Sequence, residues 1–121
     1  MLILGFTCIS VMAKWTKINK IENVYADLTT IQKKGNSVKM WSMTDFKTPR
    51  EVVGYKKFLS TKERFEFDCE EVKARQLAFM AYADHLGKGA LIHKDSSVGA
   101  WSEVDPDSLV KSQWNVACGK H

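Results

Sequence analysis

Charge is missing from the start of this chain. Met1 to Ala13 reads MLILGFTCISVMA and holds no charged side chain. The segment is too short to cross a bilayer as a helix, which takes about 20 residues. Its apolar run closing on Val11-Met12-Ala13 has the form of a secretory signal peptide cleaved after Ala13, although the basic residue that normally opens one is absent. A buried N-terminal strand or short helix is the alternative. A lipoprotein site at Cys8 fits poorly, with Thr7 just before it and Gly5 three before. Export would place the protein in the periplasm or at the outer-membrane or cell surface, an oxidising setting. No second transmembrane candidate follows, so cleavage would leave no membrane-spanning helix.

Cysteine and proline are also scarce. There are three cysteines, Cys8, Cys69 and Cys118, and cleavage discards the first. One intramolecular bridge is then available, Cys69–Cys118. It closes a loop of about 50 residues, for which chain entropy gives about 4 kcal/mol. Two buried free thiols are the other reading. The two prolines, Pro49 and Pro106, and a few isolated glycines provide no internal linker. Residues 14–121, 108 in number, therefore read as one domain. A net charge of +4 permits acidic contacts. The charges interleave, however, as in Lys62, Glu63, Arg64, Glu66 and Asp68. No block of like charge marks a nucleic-acid arm, so no nucleic-acid partner is expected.

What remains is mostly strand. Val24 to Ile31 and Val38 to Phe46 flank a Gly35-Asn36 turn and read as a hairpin. Apolar groups on both faces of this hairpin suggest a central position, covered on both sides. Lys47 to Gly54 reads as a loop, because Thr48-Pro49 excludes helix at Thr48. From Phe58 to Cys69, Phe65, Phe67 and Cys69 alternate with Arg64, Glu66 and Asp68, which turns Cys69 inward. A charged turn over Glu70 to Ala74 follows. Arg75 to Ala83 is read as a strand despite helix-favouring residues. A turn at Gly87-Lys88-Gly89 leads to a return arm from Ala90 to Lys94. Ser96 to Pro106 reads as loop. The last element is a helix capped by Asp107 or Ser108, with Leu109, Val110, Trp114, Ala117 and Cys118 on one face and Gly119 as its stop. The expected fold is α+β, an antiparallel sheet of five to six strands against a C-terminal helix.

No catalytic or metal constellation emerges. His85 and His93 are expected on opposite arms of the second hairpin, and no HxH, HxxxH or HExxH spacing exists. There is no GxSxG. Asp27, Asp45 and Asp68 read as solvated carboxylates. No metal and no cofactor is expected, and the chain reads as a non-enzyme. A hydrolase would require His85 or His93 beside an acid in a cleft.

Aromatics are better represented, with four tryptophans. Trp114 belongs to the core face of the helix. Trp41 lies on the minority parity of its strand, with Met43, and is either a second-face cover or an exposed contact. Trp15, Trp101 and the cluster Tyr55-Lys56-Lys57-Phe58 have the mixed aromatic and basic character of interface anchors, with ordinary packing as the competing explanation.

Several segments, in order, resemble the surface-adhesin protein E family of secreted Gram-negative proteins. They are Tyr25 to Ile31, Gly35 to Trp41, Asp45 to Pro49, Glu66 to Cys69, His85 to Gly89, Trp101 to Val104 and Trp114 to Cys118. The resemblance implies an antiparallel sheet flanked by helix, a Cys69–Cys118 bridge, and export. It also implies a protein partner, since some members resemble adhesins for host matrix or serum proteins such as laminin, vitronectin and plasminogen. A periplasmic small-ligand or envelope module is the second functional expectation, to be favoured by a concave, aromatic-lined pocket. Self-association is left open.

Overall fold

The computed structural model describes residues 14–19, 22–51, 54 and 56–120. The expected signal segment, residues 1–13, lies outside the described residues, as does Tyr55. Seven strands and one helix follow in order: β1 (Trp15–Lys17), β2 (Val24–Lys34), β3 (Ser37–Arg50), β4 (Phe58–Asp68), β5 (Lys73–Tyr82), β6 (Leu91–Asp95), β7 (Ser102–Glu103) and α1 (Leu109–Ala117). A single 3-10 turn, His85–Gly87, joins β5 to β6.

The sheet is an antiparallel meander in the order β1-β2-β3-β4-β5-β6, and β7 adds to the far end of β5. Short turns dictate this order, because consecutive antiparallel strands need only a few residues to reverse. The β2–β3 turn needs only Gly35 and Asn36, and of the two only Gly35 takes a positive φ. Both arms run longer than their alternation suggested.

The expected loop over Lys47 to Gly54 is corrected: β3 continues to Arg50. Pro49 does exclude helix, but extended backbone suits it. It falls where the β3–β4 register shifts between Asp45 and Arg50, so its missing N–H interrupts no register pair between the two strands. The charged turn is also shorter than expected, since β5 begins at Lys73. The Asp68 carboxylate organises it by accepting from the amides of Glu70 and Glu71 at 3.0 and 2.9 Å. Strands β1 and β7 were not anticipated. Three and two residues are too few to show a period.

Alternation assigns the two faces. Met40 pairs with Phe65 and Val38 with Phe67. These residues join Ala26, Ala74, Val104, Trp114 and Ala117 in the core beneath α1. Ser108 caps α1 by accepting from the Lys111 amide at 3.2 Å. Gly119 ends the helix with positive φ, its N–H bonded to the Val116 carbonyl. Leu109 departs from expectation: it is 38 % exposed, and Gln113 is buried instead. The helix contacts β2 and β3, and its buried residues, Gln113, Trp114 and Ala117, all lie beyond its first turn.

Cys69 and Cys118 are bridged, with Cα atoms 5.6 Å apart. Both pack against the core cluster. The bridge joins the end of β4 to the end of α1, and the expected α+β architecture stands.

Candidate functional site

The face of the sheet opposite α1 is built from the other parity. Asp27 lies between Trp15 on one neighbouring strand and Trp41 on the other, and Trp41 pairs in turn with Arg64. In the next row, Tyr25 pairs with Met43, Met43 with Lys62 and Lys62 with Met80. The register therefore sets two indoles on either side of a carboxylate, about two strand spacings or roughly 10 Å apart. Trp15, Trp41, Met80 and Tyr82 wall a concave cavity of about 260 Å³, and Asp27, Thr30 and Lys62 supply its polar atoms.

An irregularity in β2 shapes the floor. The β2–β3 register shifts between Asp27 and Gln32. In that gap the Thr30 hydroxyl stands in for a backbone partner: it donates to the Asp27 carbonyl at 2.6 Å and accepts from the Trp41 amide at 3.0 Å. Asp27 is only 3 % exposed, contrary to the expectation of a solvated carboxylate. Burial without hydrogen bonds would cost several kcal/mol. The Thr29 amide and hydroxyl donate to its Oδ1 at 3.0 and 2.5 Å, and the Lys14 amide approaches Oδ2 at 3.3 Å.

Lys62 fixes the electrostatics. Its Nζ lies 5.7 Å from the Trp15 ring centre and 5.0 Å from that of Tyr82, within cation–π range. The stem is positioned by Gly87, whose missing side chain makes room: a Cβ there would meet Lys62 Cε at 2.4 Å. Burial pushes the Tyr82 phenol above its ordinary value.

The other expected contact residues are scattered. Trp101 is 40 % exposed and stacks under the Arg75 guanidinium at 4.7 Å. Arg75 also pairs with Glu66 at 2.6 Å. Burial alone would raise the Glu66 carboxyl, but hydrogen bonds from Ser37 and Arg75 outweigh it and hold the carboxyl below its usual range. Lys56 and Lys57 are exposed on the approach to β4. Trp114 is buried, its N–H donating to the Asp68 carbonyl at 2.9 Å. The sequence reading thus named Trp15 and Trp41 but not Lys62, Asp27, Thr30, Met80 or Tyr82. Alternation on β4 and β5 supplies the missing signal only once the register is known.

His85 is not on a hairpin arm; it lies in the 3-10 turn. Its Nδ1 sits 3.1 Å from Asp45 Oδ1, and the Leu86 amide donates to the same oxygen at 2.8 Å. Leu86 has φ of 57°, a left-handed conformation unusual for a branched side chain, and the Asp45 contact holds it there. The imidazole is 51 % exposed. The Ser60 hydroxyl is engaged with backbone, donating to the Asp84 carbonyl at 2.6 Å and accepting from the Gly87 amide at 2.8 Å. These contacts pin the turn to the sheet. Among the described residues no cluster of three or more His, Cys, Asp or Glu has the arrangement of a metal site.

Residues 15–119 match the family model described as surface-adhesin protein E. The chain belongs to the surface-adhesin protein E family. Its fold is that of protein E from Haemophilus influenzae. Crystal form II aligns with a TM-score of 0.70 at 16% identity, covering 90% of each chain. Protein E from non-typeable Haemophilus influenzae aligns at 0.66 and 15% identity, covering 92% of this chain and 79% of that one. No curated protein sequence matches the chain. Membership in the protein E family supports an exported, surface-associated protein. Among the described residues no helix is long and apolar enough to cross a membrane.

Proposed function

We propose that this protein is an exported, non-catalytic binding protein that engages its partner with the sheet face opposite α1. The carrying observation is the convergence of Trp15, Trp41, Tyr82 and Lys62 around one cavity on a face that α1 leaves uncovered. Aromatic residues and long basic stems are what well-packed protein interfaces use as anchors. A surface adhesin of host matrix or serum proteins is the specific form of this reading. Residues 1–13 act in it as the export signal, removed after Ala13.

Binding of the disulfide-bonded protein to immobilised laminin, vitronectin and plasminogen tests the reading, with Trp41→Ala as the key variant. Loss of binding in a folded Trp41→Ala protein is expected. Undiminished binding, or inaccessibility of the protein on whole cells, defeats the adhesin reading.

The cavity also favours a second reading, a small-ligand module of the envelope. Its lining is mostly apolar with a few convergent polar atoms, the usual character of a ligand site. Retention in the periplasm together with ligand binding at this cavity selects it.

A further inference from the structure

The cavity beside Asp27 has a composition that discriminates among ligands. At about 260 Å³ it lies just below the range of roughly 300–1,000 Å³ typical of sites for drug-sized ligands. It has room for one ring, not for an extended chain. A cationic ligand would meet the Lys62 ammonium, which already lies between the Trp15 and Tyr82 rings. An anionic ligand would meet the Asp27 carboxylate in the wall. An aromatic side chain would fill the slot but strip water from both charged groups without replacing its hydrogen bonds, which is costly.

We propose that this cavity binds a neutral sugar ring, a pyranose unit of a glycan. One face of a pyranose presents C–H bonds with slight positive charge, which suit the negative face of an indole. Trp15 and Trp41 are the two indoles in the cavity wall, and Lys62 Nζ already lies 5.7 Å from the Trp15 ring centre. The ring's edge carries hydroxyls that donate and accept at once. Asp27 is the acceptor. A carboxylate has about four lone-pair sites. Of the described donors, the Thr29 amide and hydroxyl take Oδ1, and only the Lys14 amide, at 3.3 Å, reaches Oδ2. Lys62 is the donor, with three N–H bonds whose described partners are only ring faces. A ligand that pairs with both charges and bears no net charge satisfies the site as built. The inference rests on the reading that this face is the binding surface, and it names the chemistry recognised there.

The test is an array of neutral, sialylated and sulfated glycans probed with the labelled, disulfide-bonded full chain, followed by titration of captured sugars against tryptophan fluorescence. Capture on neutral glycans is expected, weakened at least about tenfold in Trp41→Ala and in Asp27→Asn. Lys62→Met, which keeps the apolar stem and removes the donor, guards against misfolding of the Asp27 variant and is expected to weaken capture likewise. Circular dichroism and thermal melts verify each fold. Capture confined to sialylated or sulfated glycans, capture unaffected by these variants, or no capture of any glycan overturns the proposal. Binding to native and enzymatically deglycosylated host proteins separates the two readings. If binding survives deglycosylation and still depends on Trp41, the face is the interface and the sugar is not its ligand. If neither measurement depends on Trp41, both readings fall.

Discussion

The indole N–H of Trp114 donates to the main-chain carbonyl of Asp68 at 2.9 Å, one residue before the bridged Cys69. A covalent link and a part-buried hydrogen bond thus tie the C-terminal helix to the same strand end. Trp114 is 4 % exposed and sits in the core, so its ring contributes apolar burial as well. The helix has nine residues, too few to persist alone in water, and these attachments hold it to the sheet.

Reducing the bridge, or replacing Cys69 and Cys118 together by Ser, should lower stability by about 2–4 kcal/mol. Denaturant melts with and without reductant measure this. Intact mass of freshly isolated protein should show the two thiol hydrogens missing. Equal midpoints with and without reductant would mean that the bridge adds nothing to the helix attachment.

Glu63 gives the fold a pH dependence. It lies on the core side of β4, 9 % exposed, and the Thr61 hydroxyl donates to its Oε1 while Oε2 has no hydrogen-bond partner among the described residues. Burial pushes its pKa up to about 7, partly opposed by the Thr61 hydrogen bond. The native state then holds a proton that the unfolded chain releases near pH 4.5. Stability contributed by neutral Glu63 is full below about pH 4.5 and declines as pH rises toward 7, for a total of about 3 kcal/mol. Glu63→Gln keeps the shape without the charge. It should match the parent near pH 4.5 and exceed its stability by about 2–3 kcal/mol at pH 8. Parallel pH profiles for parent and variant would contradict this assignment.

Gly87 joins backbone geometry to the cavity. Its φ is +69°, and a methyl group there would strike the Lys62 stem. Gly87→Ala should cost about 1–2 kcal/mol in backbone strain and displace Lys62 from the two rings. A lower melting temperature together with altered Trp15 fluorescence is the expected signature. An unchanged fluorescence spectrum would show that Lys62 is not held in place by this contact.

Ser108 is the N-cap of α1, and its side chain is the acceptor for the Lys111 amide. Ser108→Ala should destabilise the protein by about 1 kcal/mol, and Ser108→Asp should restore most of it. Chemical denaturation of the three proteins measures the series. Full stability in the Ala variant would place the cap's energy elsewhere.

Much of this architecture is legible in the residues themselves. The strict alternation from Arg64 to Cys69 marks β4 and turns Cys69 inward, because a strand has a period of two whatever surrounds it. Ser108 and Gly119 bracket α1 for equally local reasons: one supplies an oxygen to a free amide, the other tolerates a left-handed turn. Lys47 to Arg50 was misread because a Thr-Pro pair looks the same in a loop and in a strand whose register has already slipped. Leu109 was assigned to the buried stripe, although the stripe does not say where along the helix the sheet ends. Asp27 looked solvated since three residues are too few to announce β1, and alternation alone does not say that Trp15 and Trp41 flank it.

The sequence by itself determined strands β2 to β6, the C-terminal helix and the family, and it named Cys69 and Cys118 as the pair to bridge. All of these depend on short-range periodicity, counting and ordered motifs. Only the tertiary structure decided that Trp15, Asp27, Trp41, Lys62 and Tyr82 meet at one cavity while Trp101 stands apart against Arg75. The physical reason is register. A slip of one residue between paired strands sends every side chain to the opposite face, and that choice is made by the packing of the whole sheet against α1.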